Sequence, residues 1–279
     1  MKIRPYFSCL LFALSTQIAC GQANEIHLNA DGQTIAARVK PPAGYGRAAT
    51  KTGSFAAYLQ NLPLKPHGTL VKYYNGATKD KSGVYVAVVD MEIGSRDLQQ
   101  CADAVMRLRA EHLYRQKEYA AIHFRFTNGD NAPYTHYANG YRAAVQGNRV
   151  AWKKSAAKNY GYAVFRQYLD LVFMYAGTLS LSKELKPVVS LKDLQIGDVF
   201  IKGGSPGHAV IVADMARHAE TGEKVFLLAQ SYMPAQETQV LQNPNNPALS
   251  PWYSMNFGGD LITPEWTFGE NQLKRFEEK

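Results

Sequence analysis

The sequence predicts an α+β fold from three observations. Apolar residues recur at helical spacing in two stretches, Leu98 to Leu113 and Tyr162 to Tyr175. From Val199 to Ala229 short strand-like runs follow one another between Gly-rich or polar turns, as in an antiparallel meander. Helices first and a half-open sheet afterwards is the segregated order of an α+β domain.

Taken in order, the chain opens on Lys2 and Arg4, a short positive segment, followed by an almost uncharged apolar run from Tyr6 to Ile18. That run is too short to span a bilayer and has the length of a signal-peptide core, so residues 1–23 are expected to be an export signal. Cys9 lies inside it. Cys20 follows Ile18-Ala19 and precedes Gly21, the setting of a lipoprotein signal covering residues 1–19, with the lipid carried on Cys20. Gln17 stands where such sites usually place leucine, which leaves cleavage after Ala23 as the other reading. No other stretch approaches the roughly 20 apolar residues of a membrane helix, so attachment to a membrane would be through that lipid alone. The expected location is the periplasm or, lipid-anchored, the cell envelope.

Residues 24–279 are expected to form a single domain. Asn24 to about Lys65 is rich in Gly, Ala and Pro and reads as irregular, with weak periodicity near Tyr58 to Leu62. Thr69 to Tyr74 and Val84 to Asp90 read as strands joined by the polar Asn75 to Gly83 turn. Asp97 and Gln100 have the chemistry of a capping box opening a helix, along which Leu98, Cys101, Ala104, Val105, Leu108 and Leu113 share a face. A strand at Ala121 to Phe126, a polar aromatic-rich stretch and a second helix from Tyr162 to Tyr175, ending at Gly177, come next. Strands are then expected at Val199–Ile201, His208–Asp214 and Lys224–Ala229.

Composition narrows the function. The formal charge of +8 falls to about +6 once Lys2 and Arg4 leave, which suits anionic surroundings such as cell-wall polymer or a lipid surface. The basic residues are dispersed and not interleaved with an aromatic motif, so nucleic acid is not an expected partner. There is no HExxH, paired CxxC or Walker glycine loop, and neither a metal nor another cofactor is expected.

With the leader removed, Cys101 is the one cysteine left, a thiol with no intramolecular disulfide partner. Near a helix start, unpaired N–H groups and the helix dipole favour its thiolate. The alternative is a buried apolar filler, a common fate of free cysteine. His112, eleven residues along the same helix, would lie roughly 16 Å away and cannot serve as its base. His208 differs from the other histidines in following Gly203-Gly204-Ser205-Pro206-Gly207 at the mouth of the strand Ala209-Val210-Ile211-Val212. Gln230, at the end of the next strand, is the best third member; Asp214, roughly 20 Å along the histidine's own strand, is a poorer one.

Two other patterns carry less. Gly203 to Gly207 matches Gly-x-Ser-x-Gly, but a strand follows the serine where that elbow needs a helix, and Pro206 lacks the oxyanion-hole N–H. Asp90 and Glu92 share a face of a regular strand, as a glycosidase carboxylate pair could, or a solvated strand end. The aromatic stretches Tyr134–Tyr141 and Trp252–Phe257 could line a groove or cover the core.

Ile196-Gly197-Asp198-Val199-Phe200 with Gly207-His208-Ala209-Val210-Ile211-Val212 resembles the Gly-Asp-strand and Gly-His-strand pair of NlpC-type and CHAP-type peptidoglycan amidases and endopeptidases. The resemblance implies a papain-like arrangement, a helix bearing Cys101 packed on an antiparallel sheet bearing His208, here with inserted strands and a second helix. It assigns Cys101, His208 and Gln230 as a catalytic triad and Asp198 as a structural residue. The cysteine sits in Gln100-Cys101-Ala102-Asp103, not in the Asp-Cys-Ser-Gly of the NlpC type, and 107 positions separate it from His208. Over most of its length the chain also resembles a family of uncharacterised exported proteins, often lipoproteins, of Gram-negative bacteria. The segments that carry this are Gln100–Val105, Tyr175-Ala176-Gly177-Thr178, Ser205-Pro206-Gly207-His208 and Gln230–Gln236. The implied function is an exported cysteine hydrolase cleaving amide bonds in cell-wall peptide. The alternative is a non-catalytic envelope protein of the same fold that binds peptidoglycan fragments or another envelope protein.

Overall fold

A computed structural model describes residues 27–79 and 83–277. The expected leader, with Cys9 and the lipid site at Cys20, lies outside the described residues. Ten elements position the site: helix α1 (Phe55–Gln60), strand β1 (Tyr85–Val88), helices α2 (Cys101–Arg115), α3 (Tyr162–Tyr175) and α4 (Thr178–Glu184), and strands β2 (Val199–Lys202), β3 (His208–His218), β4 (Lys224–Gln230), β5 (Gln239–Leu241) and β6 (Leu273–Arg275). The fold is mixed α+β around a large antiparallel sheet. Its order is β1-β5-β4-β3-β2-β6 with Lys186–Pro187 at the edge; Tyr45–Arg47 pairs with the far end of β3, and Tyr253–Ser254 with β4.

The central strand β3 is buried on both faces, which is why it reads as a continuous apolar run and not as an alternation. Ala209, Ile211 and Ala213 join Val105 and Leu108 of α2 in one core. Val210 and Val212 join Phe226, Leu228, Tyr253 and Phe268 in a second core on the opposite face. Each fully buried aliphatic or aromatic side chain here contributes about 1.5–3 kcal/mol. Helix α2 is buried nearly all round, so it must also pair its polar residues. Arg107 reaches Gln99 Oε1 at 2.6 Å, Glu111 Oε1 at 3.4 Å and the Glu92 backbone oxygen, pinning the segment that leads into the helix.

Several expectations change. Thr69 to Tyr74 is not a strand: the Asn75-Gly76 turn folds the chain back after single bridges from Lys72 to Thr78 and from Tyr73 to Gln236. The N-terminal segment is more regular than its composition suggests, since it supplies α1 and an edge strand to β3. Helix α3 has the expected bounds, but Gly177 does not end the helical region. It begins α4, its N–H bonding Ser180 Oγ at 3.1 Å. An unexpected hairpin, Tyr141–Gln146 with Arg149–Lys154, turns at Gly147-Asn148. The aromatic stretches divide: Tyr134, Tyr137, Trp252 and Tyr253 are buried in the core, whereas Met255 and Phe257 line a surface cavity. Glu92 is held by Arg107 and Arg166.

Candidate active site

Helix α2 begins three residues later than its sequence suggests. Gln100 is the N-cap, and its N–H is taken by Asp103 Oδ2 at 3.0 Å. Asp97 lies outside the helix and braces the approach: its Oδ1 accepts from Gln100 Nε2 at 3.0 Å and from the Ala235 N–H at 2.6 Å. Ser231 Oγ donates to the backbone oxygen of Gln99 at 3.2 Å, tying the same segment to the end of β4. Cys101 is therefore the first helical residue, where backbone N–H groups have no partner within the helix. The N–H groups of Cys101, Ala102 and Ala209 are directed at its sulfur. That last donor places the thiol beside the first residues of β3.

His208 is brought there by the preceding hairpin, which packs against α4. Thr178 Oγ1 donates to the Gly204 carbonyl at 3.1 Å. The approach is so close that a Cβ on Gly207 would lie 2.4 Å from Thr178 Oγ1, and one on Gly203 2.2 Å from Ser182 Oγ. These glycines serve backbone proximity to α4 and a strand follows them, in keeping with the rejection of the serine-elbow reading. His208 shares its face of the strand with Val210 and Val212, and its ring packs among Tyr232, Trp266 and Phe268 at centroid distances of 4.6, 5.4 and 5.8 Å. Cys101 and His208 line one cavity of about 570 Å³ at the mouth of β3, with Leu98, Phe173, Tyr232 and the exposed Met233 among its walls.

Gln230 is the third predicted residue, and His208 Nε2 lies 2.8 Å from its Oε1. An amide oxygen can only accept, so Nε2 carries the proton and the ring's lone pair is on Nδ1. Behind Gln230 stands a pair that sequence reasoning missed. Gln230 Nε2 donates to Glu265 Oε2 at 2.7 Å, and Lys79 Nζ meets the same oxygen at 2.6 Å, both side chains almost fully buried. Neither Glu265 nor Lys79 lies in a periodic segment, and only the folded chain brings residues so far apart in sequence to Gln230. Asp214, the poorer candidate, sits at the far end of β3 bound to Gln60 Nε2 at 2.7 Å and paired with Arg47. His112 packs against Phe55 and Tyr58, away from the cavity. Asp198 takes the structural role expected of it, receiving Arg275 through both carboxylate oxygens at 2.6 and 2.8 Å.

The electrostatics depart from a preformed thiolate. Burial pushes the Cys101 thiol up to about 11, the charge of Asp103 adding to the effect and the three N–H groups opposing it. Burial likewise pushes His208 down to about 4, against the Gln230 hydrogen bond and the Glu265 charge, which favour the imidazolium. The Asp103 carboxyl is raised to about 8, again by burial. Near neutral pH Cys101, His208 and Asp103 therefore rest uncharged, because desolvation outweighs the helix dipole that favours a thiolate.

No protein of curated function and no solved structure matches this chain. The family described as "Domain of unknown function (4846)" matches residues 35–275, almost the whole of the described domain, and the chain belongs to that family.

Proposed function

We propose that the protein is an exported cysteine hydrolase with a papain-like arrangement of the NlpC type, and that it cleaves amide bonds in cell-wall peptide. The observation that supports this reading is a single cavity lined both by Cys101, at a helix start, and by His208, whose Nε2 is held by Gln230. Cys101 Sγ attacks the carbonyl carbon while its proton passes to His208 Nδ1. First-turn N–H groups of α2 take up the developing oxyanion. The imidazolium then protonates the amide nitrogen, the C–N bond breaks and the amine leaves, with the acyl group held as a thioester. Water, deprotonated by His208, attacks that thioester; the acid departs and the sulfur recovers its proton. Gln230 orients the ring and Glu265, bonded to Gln230 Nε2, fixes it; the Glu265 charge favours the imidazolium, while Lys79 opposes it. The net charge supports work beside anionic polymer, either in the periplasm or on a membrane through a lipid at Cys20.

The test is digestion of purified peptidoglycan and its isolated stem peptides by the wild type, Cys101→Ala and His208→Ala, followed by chromatography with mass spectrometry. New water-added fragments and new free amines from the wild type alone are the expected result; identical product profiles for all three would reject hydrolysis. The raised thiol pKa favours a second reading, an envelope protein of this fold that binds peptidoglycan fragments without cleaving them. Retention of such fragments by all three proteins, with no product, would select it.

A further inference from the structure

A second cavity, of about 530 Å³, lies at the other end of β3, roughly 25 Å along the strand from His208. Its volume is that of a small-ligand site, a range of about 300–1,000 Å³. The interior is apolar, with Phe55, Leu194, Ile196, Met215 and Phe276 among its walls. Five cations line it as well, Arg47, Arg109, Arg217, Lys224 and Arg275, of which Arg47 pairs with Asp214 outside the lining. Among the described residues lining it, Asp198 is the single carboxylate, and Arg275 occupies both of its oxygens. Arg109 is held with its guanidinium 5.1 Å from the ring of Phe55 and 5.6 Å from that of Phe276, fixing a cation against the apolar wall.

The strongest sign of a ligand is the strand register. Lys224 of β4 stands directly opposite Arg217 of β3. Like charges facing each other across an antiparallel pair are destabilising. Both line the cavity; Lys224 Nζ gives one of its three N–H groups to the Lys192 carbonyl at 3.0 Å, and an anion between the two side chains would turn repulsion into two charge-assisted contacts. An apolar chamber with cations at such a point suits a molecule that has an aliphatic body and an anionic head.

We propose that this cavity binds a small anionic amphiphile, an alkyl chain ending in a phosphate or carboxylate, with the chain among Phe55, Ile196, Met215 and Phe276 and the head between Arg217 and Lys224. The site is independent of the hydrolase reading, and either can fail alone. Isothermal titration of the full protein with dodecyl phosphate and with dodecanoate, each below its micellar concentration, separates the two head groups. Dodecyl maltoside and inorganic phosphate serve as probes of the tail and the head alone. Saturable binding of at least one anionic amphiphile is expected, at least about tenfold tighter than either partial probe. R217E/K224E, changed where β3 ends and β4 begins, should weaken it at least about tenfold with the far-ultraviolet spectrum and melting temperature retained. Should that variant fail to fold, R217Q/K224Q is read in the same way. The proposal is overturned if neither anionic amphiphile saturates the protein, if dodecyl maltoside binds as tightly as they do, or if the folded charge variants bind as the wild type does.

Discussion

Replacing His208 by asparagine should remove a large part of the protein's acid sensitivity. His208 is buried, with its pKa lowered from 6.5 to about 4. Between those values the unfolded chain binds a proton that the native chain refuses, so stability falls as pH drops below about 6.5 and levels off once pH passes below about 4. At about 1.4 kcal/mol per pKa unit the whole shift is worth about 3 kcal/mol, and most of it develops between pH 7 and pH 4. The assay is urea unfolding of the wild type and His208→Asn at pH 7, 6, 5 and 4. Carboxyl groups titrate in both proteins and largely cancel in the difference. The variant should be the less stable at pH 7, having lost ring contacts with Tyr232, Trp266 and Phe268. That deficit should shrink by about 3 kcal/mol at pH 4. Parallel stability curves would refute the claim that His208 is buried neutral.

Other consequences follow from the same site. Asp103→Asn removes the charge that raises the Cys101 pKa and should lower the thiol's midpoint below about 11 in an ultraviolet thiolate titration, whereas an unmoved midpoint would show that Asp103 exerts no such effect. Glu265→Gln breaks a buried ion pair and should cost about 3 kcal/mol in urea unfolding, with much of the loss recovered by adding Lys79→Met. Gly207→Ala should destabilise by about 1–3 kcal/mol, because its Cβ would meet Thr178 Oγ1 at 2.4 Å and the Gly204 oxygen at 2.5 Å; a neutral effect in thermal unfolding would contradict that packing.

Much of the site was legible because its residues stand at element boundaries that chemistry marks. The Gly-rich turn before Ala209-Val210-Ile211-Val212 identifies His208 as a strand opener, and Gln230 closes the next strand as read. The start of α2 was misplaced for a physical reason: Asp97 has capping chemistry, but its carboxylate is spent on Ala235 and Gln100, and Asp103 does the capping from inside the helix. Gly147-Asn148 carried a hairpin signal, yet the strands around it are half-exposed and lack a clean alternation. The Lys79–Glu265 support behind Gln230 joins residues 186 positions apart, and no local pattern could announce it. The thiol's pKa was misjudged because a helix start is visible in sequence, whereas the depth of burial is not.

The central proposal is that His208 takes the Cys101 proton as the sulfur attacks. Its most direct test is the rate of Cys101 alkylation by iodoacetamide against pH, read at the Cys101 peptide by mass spectrometry, in the wild type and His208→Ala. A plateau of imidazole-assisted labelling is expected above the His208 midpoint of about 4, followed by a second rise toward the thiol's own midpoint of about 11. In His208→Ala the plateau should vanish and the alkaline rise remain. Superimposable profiles would make Cys101 a residue of the core with no proton link to His208.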